Sequence, residues 1–347
     1  MSAIEEILRS ARAAGASDVH LTVGIPPKMR VNGNLITMNF PKLFPKDTLD
    51  VVIGIMTESQ RERFEEQGEY DMSFSIPDCG RFRLNAYKQR GTVALAFRVV
   101  DDKIPSLEEL GVPESVAGIC RKKRGLVLVT GSAGSGKSTT LAAIIDRINS
   151  SSEMHIITLE DPIEYLHQHK LSMVNQREIG LDTDNYANAL RAALREDPDV
   201  ILVGELRDME TIRVAITAAE AGHLVLSTLQ TVGVASSVDR IMDMFPTHQQ
   251  AQIRMQFANV VETVVSQQLL PTIDKGERVA AFEVLQAGNT VRNLIREGKS
   301  YQLNDMIKQK GMLTMDEAIV ELYSQGKISR ETALAYAKDP DEMENSL

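Results

Sequence analysis

The stretch GSAGSGKSTT, residues 131–140, decides the fold of the region around it. It follows LVLVT at 126–130, a short apolar run with branched side chains and no charge, and it opens the helical pattern LAAIIDRI at 141–148. Such a run reads as a buried parallel strand, so the glycine-rich segment is the turn between a strand and a helix. Gly131, Gly134 and Gly136 let that turn close with its backbone N–H groups pointing inward, Lys137 adds a cation, and the helix that follows adds its positive end. The combination holds the phosphates of a nucleoside triphosphate, with the Ser138 hydroxyl placed to hold magnesium. The motif does not by itself separate a hydrolysing enzyme from a nucleotide switch.

Working outward, three further apolar runs follow the loop. HIITLE at 155–160 leads into the acidic turn EDPIE at 160–164, DVILVGE at 199–205 ends at Glu205, and HLVLSTLQ at 223–230 ends at Gln230. Helical segments, among them NYANALRAALRE and METIRVAITAAEAG, lie between and after them. In an open α/β sheet the polar residues at the carboxyl ends of neighbouring strands gather around the ligand crevice, which places Glu160, Asp161, Glu205 and Gln230 there. Phosphoryl transfer needs a water oriented in line with the departing group. Glu205 is the candidate for polarising that water, and Glu160 for assisting at the water or around the metal without binding it directly. Asp161 or Glu164 could instead fix the turn through backbone hydrogen bonds. His223 could sense the γ-phosphate or link it to a neighbour; alone, a histidine at such a position is as well a satisfied structural one. His167 and His169 sit two apart near acids, but no Cys/His pattern supports a zinc site.

Towards the start of the chain the pattern changes. Ile4, Ile7, Leu8 and Ala11 form one face of an opening helix that Gly15 can end. DVHLTV at 18–23 has strand period, and KMRVNGNLITM reads as a hairpin turning at Asn32-Gly33. Residues 46–67 read as two helices parted near Thr57, which has capping-box spacing to Gln60. Residues 70–76, 81–89 and 92–100 are strand-like. RFRLNAY places Arg81, Arg83, Asn85 and Tyr87 on one face and Phe82, Leu84 and Ala86 on the other, with Arg98 on the next strand. These arginines could reach a bound phosphate or simply form a solvated face. DDKIPSLEELGVPES, residues 101–115, has the charge, Pro and Gly content of a linker. The basic cluster at 121–124 reads as the charged flank of a buried strand.

Composition bounds what this can be. A chain of 347 residues suggests two or three domains, and a net charge of −10 argues against a broad basic surface for nucleic acid. The two cysteines, Cys79 and Cys120, suggest neither a zinc knuckle nor an oxidising compartment. No apolar run approaches a membrane span and residues 1–20 lack a signal-peptide core, so a cytoplasmic protein is expected, reaching a membrane only through a partner.

These motifs together resemble the twitching-motility retraction ATPases of type IV pili, within the superfamily of secretion ATPases. The resemblance is carried by the phosphate loop, ITLEDPIEY at 157–165, NQRE at 175–178, ALREDPDVILVGELRD at 193–208, TAAEAGHLVLSTL at 217–229 and VRNLIREGK at 291–299. GASDVHL at 15–21, GIPPKMRVNG at 24–33 and RFRLNAYKQRG at 81–91 extend it over almost the whole chain. It implies an α/β architecture: a PAS-like N-terminal domain over 1–100, a linker over 101–115, and a RecA-like P-loop ATPase domain with additional C-terminal helices over 116–347. It implies a homo-hexameric ATPase using ATP and Mg2+ to drive pilus retraction by pilin disassembly, peripheral at the cytoplasmic face of the inner membrane and acting on a platform protein there. Carried over by residue, the phosphate loop is Gly131, Ser132, Ala133, Gly134, Ser135, Gly136, Lys137, Ser138 and Thr139. Lys137 falls on phosphate, Ser138 on magnesium, Glu160 and Glu205 on the two important glutamates, and His223 on the first histidine of a histidine box. Arg81, Arg83 and Arg98 match arginines that approach nucleotide in such rings.

One departure stands out. The family usually continues that box as TLHT, whereas this chain reads TLQT, with Gln230 where a second histidine is expected; glutamine still hydrogen-bonds but cannot titrate. VRNLIREGK resembles the segment that retraction motors need; it reads either as a plain amphipathic packing helix, with Val291, Leu294 and Ile295 inward, or as one whose packing positions Arg292, Arg296 and Glu297 for a partner. Assembly motors of the superfamily have a longer N-terminal region and a four-cysteine zinc site, and this chain has neither. Its alternatives are an accessory retraction paralogue, a related assembly or secretion ATPase, a nucleic-acid-translocating RecA-like enzyme and a non-catalytic scaffold.

Overall fold

The computed structural model describes residues 3–100, 103–274, 276–309 and 312–347. The chain forms two compact units, Met1–Lys103 and Ile104–Leu347.

The first unit is built on a six-stranded antiparallel sheet. α1 (Ala3–Ala13) buries Ile4, Ile7, Leu8 and Ala11, the face its spacing sets aside. β1 (Asp18–Leu21) is followed by the hairpin β2 (Lys28–Val31) and β3 (Asn34–Thr37), closed by Asn32 and Gly33 at φ 48° and 81°, the turn geometry that matches strand twist. α2 (Pro45–Ile55) and α3 (Glu58–Gln67) part at Thr57, whose side chain accepts from Gln60 N while Gln60 Oε1 accepts from Thr57 N at 2.9 Å. β4 (Glu69–Ile76), β5 (Gly80–Gln89) and β6 (Thr92–Val99) complete a sheet of order β3-β2-β1-β6-β5-β4. Phe82, Leu84 and Ala86 point into the core, and the alternate positions leave it.

In the second unit, α4 (Glu114–Ala117) precedes β7 (Gly125–Thr130), the phosphate loop and α5 (Lys137–Ser151). β8 (His155–Glu160), β9 (Met173–Glu178), α6 (Tyr186–Ala193), β10 (Val200–Val203), α7 (Met209–Glu220) and β11 (Leu224–Leu229) follow. Then come α8 (Val234–Asp243), α9 (Thr247–Val260), β12 (Val261–Pro271) and β13 (Arg278–Gln286). The sheet order is β13-β12-β7-β11-β10-β8-β9, parallel throughout except for β13 at one edge. The apolar runs lack alternation because both faces are covered. Leu126, Leu128, Ile157, Ile201 and Val225 enter one core with α6, α7, α8 and α9; Val127, Val129, Ile156, Leu202 and Leu226 enter the opposite core with Ile144, Ile145 and Ile148 of α5. Losing one of those isoleucines to alanine costs about 2–5 kcal/mol, which is what keeps α5, and the loop at its head, seated.

Two expectations change. Asp101 and Asp102 of the expected linker lie outside the described residues, but from Leu107 onward the segment is packed into the second unit: Leu107 is buried among α5 side chains and Glu108 accepts from Arg147 at 2.5 Å. Leu107, Leu110 and Val112 supply apolar anchors among the charges. In α10 (Asn289–Arg296), Val291 and Ile295 are buried as expected, but Arg292 is turned inward, donating to the carbonyls of Ala258 and Asn259 at 2.8 and 2.6 Å, and Arg296 donates to Asn259 Oδ1 at 2.8 Å. Arg292 caps the end of α9, where carbonyls lack helical partners, while Arg296 ties to a side chain of that last turn. After α11 (Leu303–Gln309), α12 (Met315–Ser324) and α13 (Arg330–Tyr336), α14 (Pro340–Ser346) is started by Asp339 and anchored by buried Met343.

Candidate active site

Parallel strands bring their carboxyl ends to one edge, and here that edge carries the phosphate loop. Leu229 pairs with Thr130, and Val203 pairs with both Ser227 and Leu159, so Gly131, Gln230, Gly204 and Glu160 emerge side by side. Lys137, Ser138, Glu160, Asp161, Glu164, Tyr165, His167, Tyr186, Glu205, Arg207 and Gln230 line the resulting cleft of about 200 Å3.

The loop is packed against β12 too closely for side chains at Gly131 and Gly136, whereas Gly134 has open space around it. A Cβ on Gly131, at φ 146°, would stand 2.3 Å from the Gln267 carbonyl oxygen and 2.6 Å from Ser135 Oγ. Ser135 Oγ is buried without a protein partner, a polar atom left at the loop's floor. Lys137 Nζ donates to the carbonyls of Gly131 and Ser132 at 2.9 and 2.8 Å, which holds the ammonium over the loop. Burial pushes its pKa below the usual lysine range, with Glu205 and then Glu164 pulling it back. Thr140 Oγ1 donates to Gln267 Oε1 at 2.8 Å, so a buried glutamine of β12 braces the loop from behind. Thr139 Oγ1 meets the Tyr165 hydroxyl at 3.0 Å.

Glu160 sits at the head of β8. Its Oε1 accepts from Thr158 Oγ1 at 2.6 Å and from Gln176 Nε2 at 3.0 Å. Loss of hydration raises its pKa; those two bonds oppose the rise, and the nearby Glu164 adds to it. Gln176 also donates to the Tyr165 carbonyl at 2.8 Å and accepts from His167 N at 2.8 Å, tying the acidic turn to β9. Glu205 Oε2 accepts from Arg207 Nε at 2.8 Å, and Arg207 Nη1 lies 3.3 Å from Asp161 Oδ2. Burial drives the His167 imidazole down to about pKa 4, so it is neutral at physiological pH. Burial likewise pushes the Tyr186 phenol well above its ordinary value, with the Asp161 charge adding to the rise.

Lys137, Ser138, Glu160, Glu205 and Gln230 are therefore brought together, and His223 is not. It precedes β11 at the amino edge of the sheet, where its carbonyl accepts from Gly125 N and its Nδ1 meets the Pro198 carbonyl at 2.7 Å. The six residues of β11 put it about 20 Å from the phosphate edge, so sensing the γ-phosphate in its own subunit's cleft is corrected to a structural contact. Arg81, Arg83 and Arg98 lie in the first unit. Arg83 and Arg98 are direct cross-strand neighbours, Arg98 pairs with Asp18 at 3.2 Å, Arg83 lies 4.0 Å from Asp71, and Arg81 donates to Ser73 Oγ. Like charges facing each other on a sheet are unfavourable without a counter-charge.

Sequence reasoning assigned no role to Arg207, Tyr165, Gln176 or Gln267. The first three stand inside motifs quoted above; Gln267 had a fainter signal, polar Ser266-Gln267-Gln268 interrupting an otherwise apolar strand.

Magnesium fits this donor set in one way. Among the described residues no cluster of three or more His, Cys, Asp or Glu could hold a metal ion. Ser138 at the head of α5 offers one oxygen, and an ion that keeps most of its ligands as phosphate oxygens and waters suits such a site.

The family model for type II/IV secretion system proteins matches residues 1–329. The chain is 46% identical over 341 residues to the type IV pilus retraction ATPase PilT of Pseudomonas aeruginosa, covering 97% of this chain and 99% of that one. It is 42% identical over 342 residues to the type IV pilus ATPase PilU of the same species, covering 98% and 90%. A crystal structure of the pilus retraction motor PilT with bound ADP superimposes at TM-score 0.93 and 47% identity, covering 99% of this chain and 100% of that one. The fold is thus the α/β secretion-ATPase architecture, an N-terminal domain followed by an ATPase domain. Near-full-length identity, the superposition and the phosphate-loop cleft agree: this chain is an ATPase belonging to the type II/IV secretion system protein family.

Proposed function

We propose that this protein is a hexameric motor that hydrolyses ATP to retract type IV pili by pilin disassembly. One observation carries the reading: a phosphate cradle, a poised lysine and two strand-end glutamates share one cleft in a chain nearly half identical to a pilus retraction ATPase. Lys137 and the loop N–H groups bind the β- and γ-phosphates, and Ser138 would hold magnesium, which when bound would supply positive charge beside those phosphates. Glu205 accepts the hydrogen bond of the attacking water and draws off its proton as the bond from γ-phosphorus to the leaving oxygen breaks. Glu160, kept less acidic by burial, assists at the same water. Gln230, exposed at the cleft rim, donates towards the γ-phosphate.

In the ring, Arg81, Arg83 and Arg98 supply the positive charge that approaches a neighbouring subunit's nucleotide. The cross-strand placement of Arg83 and Arg98 supports this, since it gathers two cations on one face of the sheet, with Asp71 and Asp18 beside them until an anion arrives. Loss of the γ-phosphate removes the charge that held subunits in one arrangement, and the ring relaxes. Among the described residues no helix is long and apolar enough to cross a membrane. In this reading force passes to a membrane-embedded platform protein at the cytoplasmic face, as the resemblance to pilus retraction ATPases implies. Gln230 favours one second reading, an accessory retraction paralogue whose turnover depends on a partner motor.

Deletion of the gene is expected to leave cells whose pili extend but do not withdraw, and Glu205→Ala in the chromosome to reproduce that state. Normal withdrawal in both strains would overturn the reading.

A further inference from the structure

Arg207 lies between two carboxylates at the mouth of the cleft. Its Nε donates to Glu205 Oε2 at 2.8 Å and its Nη1 stands 3.3 Å from Asp161 Oδ2. The acids leave two neighbouring strands, Glu205 after β10 and Asp161 after β8, so one guanidinium ties together the carboxyl ends of both. The Arg207 side chain is 54% exposed and that of Asp161 41%. Ion pairs so open to water add little to folding, and fold stability alone does not account for the arrangement.

Glu205 is different: its side chain is only 16% exposed, it faces Lys137 across the cleft, and one of its two oxygens is engaged by Arg207. A glutamate has three rotatable bonds, and a carboxylate that must meet one water needs its plane fixed as well as its position. A guanidinium N–H that engages one carboxylate oxygen, while a second N–H of the same group is tied to Asp161, restricts where that carboxylate sits and how it turns.

We propose that Arg207, held by Asp161, is a positioning residue for ATP hydrolysis: it engages Oε2 of Glu205 so that Oε1 is presented to the attacking water. The inference rests on Glu205 being the group that polarises that water. Arg207 acts through Glu205 and touches neither phosphate nor metal.

The test is single-turnover hydrolysis of magnesium-ATP by the full-length, assembled protein, with binding of ADP and of a non-hydrolysable ATP analogue measured in parallel. Arg207→Ala should lower the hydrolysis rate roughly 10- to 100-fold, the cost of a misplaced reacting group, with both affinities held within about twofold. Arg207→Lys should recover part of the rate, since an ammonium meets Glu205 as a point charge without setting its plane. Asp161→Asn should lower the rate in the same direction by a smaller factor. In a Glu205→Gln background, adding Arg207→Ala should bring no further loss. If Glu205→Gln abolishes hydrolysis while Arg207→Ala leaves the rate unchanged, the inference fails and the assignment of Glu205 stands; if Glu205→Gln itself keeps the wild-type rate, the assignment fails first. Weaker binding of the ATP analogue but not of ADP in Arg207→Ala, or an added loss in the double variant, would place Arg207 on the phosphate and overturn the positioning role.

Discussion

Lys137 Nζ donates to the backbone carbonyl of Ser132 at 2.8 Å, so the cation proposed to bind phosphate is already fastened to the loop proposed to cradle it. A second bond, to Gly131 O at 2.9 Å, fixes it further. Little side-chain freedom remains to be lost when nucleotide enters. Lys137→Ala should therefore weaken ATP binding by about 100-fold or more, the loss of charge-assisted bonds to two phosphates, while circular dichroism shows an intact fold. Titration calorimetry checks this, and affinity within a few-fold of wild type would contradict it.

Gln176 makes three hydrogen bonds that hold the acidic turn: to Glu160, to the Tyr165 carbonyl and from His167 N. A leucine there fills similar space and makes none of them. Gln176→Leu should destabilise the second unit by about 2–4 kcal/mol, read by urea denaturation, and should slow ATP turnover because Glu160 is no longer held. Unchanged stability and turnover together would show the clamp to be idle.

His167 gives a pH signature. Its pKa is about 4 in the folded protein against 6.5 ordinarily, because its ring is buried. Between those values the unfolded chain binds a proton that the native state refuses. Stability is thus lost as pH falls from about 6.5 towards 4, by up to about 3 kcal/mol at roughly 1.4 kcal/mol per tenfold change in proton affinity. His167→Phe keeps the ring and removes the proton site, and its buried Nδ1 has no partner to miss. Denaturation at a series of pH values should show the variant keeping stability that the wild type loses below pH 6.5. Parallel curves would sink the prediction.

Much of this molecule was legible from sequence because its signals are local. The opening helix face, the Asn32-Gly33 hairpin and the Thr57–Gln60 box each reside within a dozen residues, and each folds as its spacing dictates. The strand-end acids were legible because parallel strands must share an edge. Contacts between distant segments were not: nothing local says that Gln267 will brace Thr140, or that Arg292 will turn back to cap α9 instead of facing a partner. His223 shows the limit from the other side. A residue that begins a parallel strand lies at the edge opposite the ligand, a rule that outweighs the motif in which the histidine sits.

Gln230 occupies the cleft rim without a proton to gain. Gln230→His should make ATP turnover pH-dependent near neutrality, rising severalfold as pH falls from about 8 to 6 because an imidazolium there would stabilise charge on the γ-phosphate, whereas the wild-type rate stays level over that range. A flat profile for the variant would mean that residue 230 does not face the transferred group.

Glu205, just past the carboxyl end of β10, is proposed to carry the chemistry in a cleft built by the phosphate loop. The most direct test compares hydrolysis of magnesium-ATP in a single turnover by the assembled wild-type protein and by Glu205→Gln, alongside their affinities for ADP. Glu205→Gln should hydrolyse at least about 100-fold more slowly, with ADP binding within about twofold of wild type. Equal rates, or a rate loss matched by an equal loss of ADP binding, would contradict that role.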